Sequence, residues 1–195
     1  MNDKLQQAFD LFDAYNKRDP NRIIWEGQSF PQEYFLAIKL HDWIKKLDPQ
    51  AEETLLLASR CQHIGRWEIP RESYAPDREG YLKWRKELAI YHAKKASEIL
   101  KEVGYSTDQI NAVQNIILKK KIKVNSAVQT MENALCLVFL AYQYEEFYPK
   151  HRDKIVNILK KSLLKMDAHG HSFALSLPYS PDGHEYIKEA LKLIH

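Results

Sequence analysis

Two cysteines and six glycines in 195 residues are too few for a disulfide scaffold, a collagen-like repeat or a glycine-rich α/β sheet. Cys61 and Cys136 both sit inside apolar helical patterns, so they read as reduced core thiols. Apolar runs such as that from Leu135 to Tyr142 fall well short of the ~20 residues that span a bilayer. The start Met1-Asn2-Asp3-Lys4 leads into no signal-like segment, which makes a cytoplasmic location the expectation. A net charge of +3 is too small to imply nucleic acid by itself. What is present is 45% hydrophobic residues, enough for one globular domain over residues 1–195.

Apolar positions recur at three and four rather than two, so the expected fold is all-α. Helices are expected at about 2–15, 32–46, 50–65, 80–103, 107–119, 126–147, 151–165 and 183–194, with 126–147 as the most hydrophobic and central one. The segment 16–31, with Pro20, Gly27 and Pro31 around Trp25, reads as a connection. The stretch 66–79, broken by Pro70 and Pro76 and carrying Trp67, Arg71 and Tyr74, reads as a long loop of the kind that carries function. A further loop is expected around His169, Gly170 and His171. Lys119, Lys120, Lys121 and Lys123 cluster at a helix end, where cations complement the helix dipole.

Chemistry concentrates in three places. The helix bearing Leu55, Leu56, Leu57 and Ala58 delivers Gln62-His63 to its end, beside a loop with Arg66, Trp67 and Arg71. His92 lies one turn after Leu88 and one before Ala96, on the inward stripe of its helix, where a polar group needs a partner. Glu132, with Asn133, interrupts the apolar run Val128, Met131, Ala134, Leu135, Leu137, Val138. A carboxylate there must be paired, protonated or bound to a cation. Taken singly, each is an ordinary satisfied core residue; together, on three helices, they form a candidate constellation. His41-Asp42 lies on a helix with Lys45 and Lys46 and reads as surface, and the four tryptophans read as helix packing.

The Gln62-His63 pair followed by Ile64-Gly65, the later His92-Ala93-x-x-Ala96, and the late carboxylate resemble the HD-domain superfamily of helical metal-dependent phosphohydrolases. That superfamily's pattern is His, then His-Asp, then Asp. Here the dyad is Gln62-His63, the last acid Glu132 or Asn133, and the first His would fall near Tyr34. The strings from Arg60 to Arg71, Gly80 to Arg85, Gln129 to Asn133 and Leu137 to Leu140 resemble, over nearly the whole chain, the family catalogued as domain of unknown function 4202. That resemblance implies an HD-like helical fold and no established activity; its usual Glu-Asp pair stands here as Glu132-Asn133. His63-Ile64-Gly65-Arg66 also imitates a class I synthetase signature, for which relatives often carry a glutamyl-tRNA synthetase label. The parallel strands that signature requires are absent from the helical pattern, so a synthetase is not expected.

Two functions are expected from different classes. In the first, a divalent metal held by His63, His92 and Glu132 activates water in a phosphohydrolase, while Arg66, Arg71, Arg85 and Lys119 hold the phosphate of a small ester or nucleotide and Gln62, Trp67 and Asn133 support the site. The same two imidazoles and carboxylate also match the facial triad of a non-haem iron oxygenase. In the second, the domain has lost metal and binds an anionic ligand, nucleotide or RNA through its arginines. A small anionic or phosphorylated ligand is the expected partner in the hydrolase and binding readings alike.

Overall fold

A computed structural model of the protein describes residues 3–120 and 124–194, so Lys121 and Lys123 of the expected basic cluster lie outside the described residues. The architecture is all-helical apart from one small hairpin. α1 (Asp3–Asn16) buries Leu5, Phe9 and Phe12. β1 (Arg22–Trp25) and β2 (Gln28–Pro31) pair antiparallel with Trp25 opposite Gln28. α2 (Gln32–Leu47), α3 (Glu53–Cys61) and α4 (Arg78–Glu102) follow, with 3-10 turns at Arg66–Glu68 and Arg71–Ser73. α5 (Thr107–Ile117) starts from a reciprocal capping box between Ser106 and Gln109. α6 (Ser126–Tyr142), α7 (Tyr144–Phe147), α8 (Ile155–Leu163), α9 (Ala168–Leu175) and α10 (Pro181–Lys192) complete the chain.

α6 is the central helix that its composition predicts: Val128, Met131, Ala134 and Leu137 are fully buried. α2 packs on both α3 and α6, α3 packs on α5, and α5 packs on α4. The end of α3, the middle of α4 and the end of α5 are thereby brought to one corner of the molecule. Among the described residues no helix is long and apolar enough to cross a membrane.

Two expected connections are structured. The segment 16–31 contains the hairpin, whose two-residue turn places Glu26 at φ 49° and Gly27 at φ 76°. Positive φ at both central positions is the turn that suits the twist of paired strands, and Gly accepts it without strain. Two strands of four residues, the second ending in Pro31, are too short for their alternation to stand out in the sequence. His169 and His171 lie on α9 rather than in a loop, because Asp167 caps that helix by accepting from the Gly170 backbone N–H at 2.9 Å. A Cβ on Gly170 would stand 2.8 Å from the Asn133 side chain, so glycine lets α9 lie against α6.

Candidate anion-binding cleft

A cleft of about 310 Å³ opens at the corner where α3, α4 and α5 meet. Its wall takes Gln62, His63 and Arg66 from the turn after α3, Trp84, Arg85 and His92 from α4, and Lys119 from the end of α5. The turn after α3 depends on Gly65, at φ 68°, where an added Cβ would come 2.9 Å from Tyr91 Cε1. Glu68 ties the same turn down by accepting from the hydroxyls of Tyr15, at 2.6 Å, and Tyr91. Trp84 Nε1 donates to the Ile69 carbonyl at 2.9 Å, and the Arg66 guanidinium lies 5.0 Å from the Trp84 ring centroid. Arg66 is thus held between the turn and the first part of α4.

Lys119 arrives by a different device. Its N–H bonds the Ile116 carbonyl and the Lys120 N–H bonds the Asn115 carbonyl, each at 2.9 Å, which is the paired pattern of a Schellman cap. The residue at the turning point of that cap is normally glycine, because its φ is positive. Here it is lysine, at φ 54°. A side chain at this point leaves the helix sideways, and Lys119 uses it to reach the cleft wall and the Glu132 carboxylate.

His63 and His92 face each other, with ring centroids 5.7 Å apart. His92 Nδ1 stands 2.8 Å from the Ile64 carbonyl. A carbonyl accepts and never donates, so Nδ1 carries the proton and Nε2 presents its lone pair; among the described groups Nε2 has no hydrogen-bond partner. Burial holds the His92 pKa down to about 4, against the pull of its bond to Ile64. Burial also puts His63 well below the usual histidine range, reinforced by Arg66, His92, Lys119 and Arg85 around it. At neutral pH both rings are therefore uncharged, and the cleft's formal charge comes from Arg66, Arg85, Lys86 and Lys119.

Two of the cleft's cations, Lys119 and Arg66, are paired with buried acids. Glu132 on α6 pairs with Lys119 and does not itself line the cleft. The expected convergence of three ligands is thus a pair of imidazoles with the carboxylate one residue removed. Glu33 on α2 lies 3.8 Å from Arg66 Nε, and burial raises its pKa from 4.5 to about 7, with Arg66 pulling the other way. Glu33 escaped the sequence reading because the Pro31-Gln32-Glu33 string looks like a surface helix start. The Asp19 carboxylate accepts from the Glu33 backbone N–H at 2.9 Å, and both acids are buried.

Other expected site residues serve the scaffold. Arg71 stays out of the cleft wall and donates to the carbonyls of Tyr74, Ala75 and Asp77, closing the loop in which it lies. Trp67 packs on Tyr15 at 5.9 Å between ring centroids. Asn133 donates to Asp167 at 2.8 Å and accepts from the Asp167 N–H at 3.2 Å, so it orients the cap of α9. Gln62 donates to the Ile117 carbonyl at 3.1 Å and sits between the cleft and a smaller cavity behind it.

Among the described residues no group of three His, Cys, Asp or Glu side chains is placed to surround a metal ion. At the cleft two imidazoles lie side by side, the nearby carboxylate is paired with Lys119, and the surrounding side-chain charge is positive. A family model described as a domain of unknown function (DUF4202) matches residues 6–187. No curated protein and no solved structure matches the chain.

Proposed function

This chain belongs to the DUF4202 family of domains of unknown function, and we propose that its cleft binds a small phosphorylated or otherwise anionic ligand. The observation that carries this reading is the convergence of Arg66, Arg85 and Lys119 on one cleft whose two histidines are neutral. Guanidinium forks match the paired oxygens of phosphate and carboxylate, and partial burial strengthens such bonds. A volume of about 310 Å³ admits a ligand larger than bare phosphate. The half-exposed Tyr81 and Leu82 at its wall offer an apolar face to the remainder of such a ligand.

The metal-dependent phosphohydrolase reading, and with it the oxygenase reading, draws support from His92, whose Nδ1–H on a carbonyl is the arrangement that orients ligating imidazoles. It requires Glu132 to exchange Lys119 for a metal. Titration with inorganic phosphate and a panel of small phosphate monoesters, alongside elemental analysis of the purified protein, separates these readings. Saturable monoester binding by metal-free protein without turnover supports the binding reading. Stoichiometric bound metal with metal-dependent ester hydrolysis replaces it with the hydrolase.

A further inference from the structure

Behind Gln62 and His63 lies a smaller cavity of about 60 Å³ between α1, α2, α3 and α6. Its polar wall consists of Asn16, Glu33, Ser59, Gln62, His63 and Gln143. The orientation of two of these amides is fixed. Asn16 Nδ2 donates to the Arg60 carbonyl at 3.4 Å and Gln62 Nε2 to the Ile117 carbonyl at 3.1 Å, so each nitrogen is engaged on backbone and each oxygen is left over. Among the described residues Asn16 Oδ1 and Gln62 Oε1 are buried without a hydrogen-bond partner, on residues 1% and 3% exposed. Ser59 spends its proton on the Leu56 carbonyl at 2.6 Å and accepts from His41 Nδ1, so its oxygen is also an acceptor.

Asn16, Gln62 and Ser59 therefore supply acceptors, and buried acceptors without a donor are costly. Glu33 adds a buried carboxyl to this wall, with the Arg66 Nε 3.8 Å away and the Asp19 carboxylate on its backbone N–H. The space is small, with room for only a few water-sized groups. Its remaining wall is aliphatic, from Leu36, Ala37, Leu40, Leu135 and Val138. A divalent ion asks for six or more oxygens, which such a wall does not supply.

We infer that this inner cavity is a binding site for a primary ammonium group on a short alkyl stem, with Glu33, Asn16 Oδ1 and Gln62 Oε1 accepting its three N–H bonds. The aliphatic wall then receives the carbon to which the nitrogen is attached. The inference stands on its own acceptors and does not depend on the anion reading of the cleft. Methylammonium is the probe, with methanol as the neutral counterpart of equal size and potassium as the bare monovalent cation. Side-chain amide resonances of Asn16 and Gln62 are followed by NMR at fixed ionic strength in wild type, Glu33→Gln and Gln62→Leu. Saturable shifts of both amides with methylammonium, weakened at least tenfold in Glu33→Gln, are expected. The Gln62→Leu protein, read on Asn16, provides the second variant should Glu33→Gln fail to fold, and weaker binding is expected there too. No response in wild type, an equal response to methanol, stronger binding of potassium, or unchanged affinity in the folded variants overturns the inference.

Discussion

Lys119 and Glu132 form an ion pair that joins the end of α5 to the interior of α6, with Glu132 3% and Lys119 30% exposed. The two partners are therefore unequal. Loss of Lys119 leaves a carboxylate buried without its counter-ion, whereas loss of the Glu132 charge leaves an ammonium that reaches water. Lys119→Met should cost about 2–4 kcal/mol, at the lower side of what breaking a buried pair costs, and Glu132→Gln about 1 kcal/mol. Urea denaturation of both variants checks the order; equal costs would show that the pair is screened throughout.

The positive φ of Lys119 adds a second expectation. Lys119→Gly and Lys119→Ala both remove the ammonium, but the glycine relieves the left-handed strain. The glycine variant should be the more stable of the two by about 1 kcal/mol. Identical melting curves would contradict the Schellman geometry.

Gly65→Ala should be harmful for the opposite reason. It imposes a Cβ at φ 68° and drives it to 2.9 Å from Tyr91 and 3.1 Å from Tyr15, the two rings that hold Glu68. A loss of about 2–4 kcal/mol is expected, with weakened sulfate binding because Arg66 follows in the same turn. Wild-type stability in this variant would mean that the turn does not need its left-handed residue.

Glu33 gives a pH signature whose sign is fixed. Its folded pKa, about 7, lies above its ordinary value of 4.5, so the proton is held more tightly by the folded chain. The stability it contributes is complete below 4.5 and is lost as pH rises through about 7, a change of about 3 kcal/mol. Arg66, Asp19 and Gln32 act on this carboxyl, with Arg66 opposing the shift. The stability of Glu33→Gln relative to wild type should therefore climb between about pH 5 and pH 8, as read by thermal melts in matched buffers. A difference that stays flat across that range would place the carboxyl in water.

His92 supplies the opposite slope. Its pKa of about 4 lies below the ordinary 6.5, so the unfolded chain takes up a proton first and stability falls as pH drops from 6.5 toward 4. Nitrogen-15 spectra near pH 6 should show a neutral ring protonated at Nδ1. A ring charged at that pH, or protonated at Nε2, would contradict the bond to Ile64.

The helices were legible because burial repeats along each one at the helical period, as in Phe9 and Phe12 of α1 or Leu88, His92 and Ala96 of α4. His92 was legible for the same reason, as an imidazole on an inward stripe, and His63 as part of a polar pair at the end of an apolar helix; the two meet. Arg71 was misread because it lies in sequence among the residues of the cleft, while its partners are carbonyls of its own loop. Glu33 and Asp19 lie far in sequence from Arg66, and nothing local to either string marks a buried acid. Glu33 is buried by the packing of α2 against α3 and α6, and Asp19 is held against it through the Glu33 backbone N–H. The unusual placing of Lys119 is a backbone property, and a run of lysines at a helix end does not announce a left-handed residue.

The most direct test of the cleft is sulfate affinity at constant ionic strength, measured by calorimetry for wild type, Arg66→Met and Arg85→Met. Sulfate does not titrate near neutrality, so proton exchange by the probe does not confuse the result. Bonds to charged groups contribute roughly 1.5–3 kcal/mol each, so each single substitution should weaken binding about tenfold or more. Saturable binding to wild type with that loss in both variants is the predicted result; absence of binding to wild type, or equal affinity in all three folded proteins, would contradict an anion site at Arg66 and Arg85.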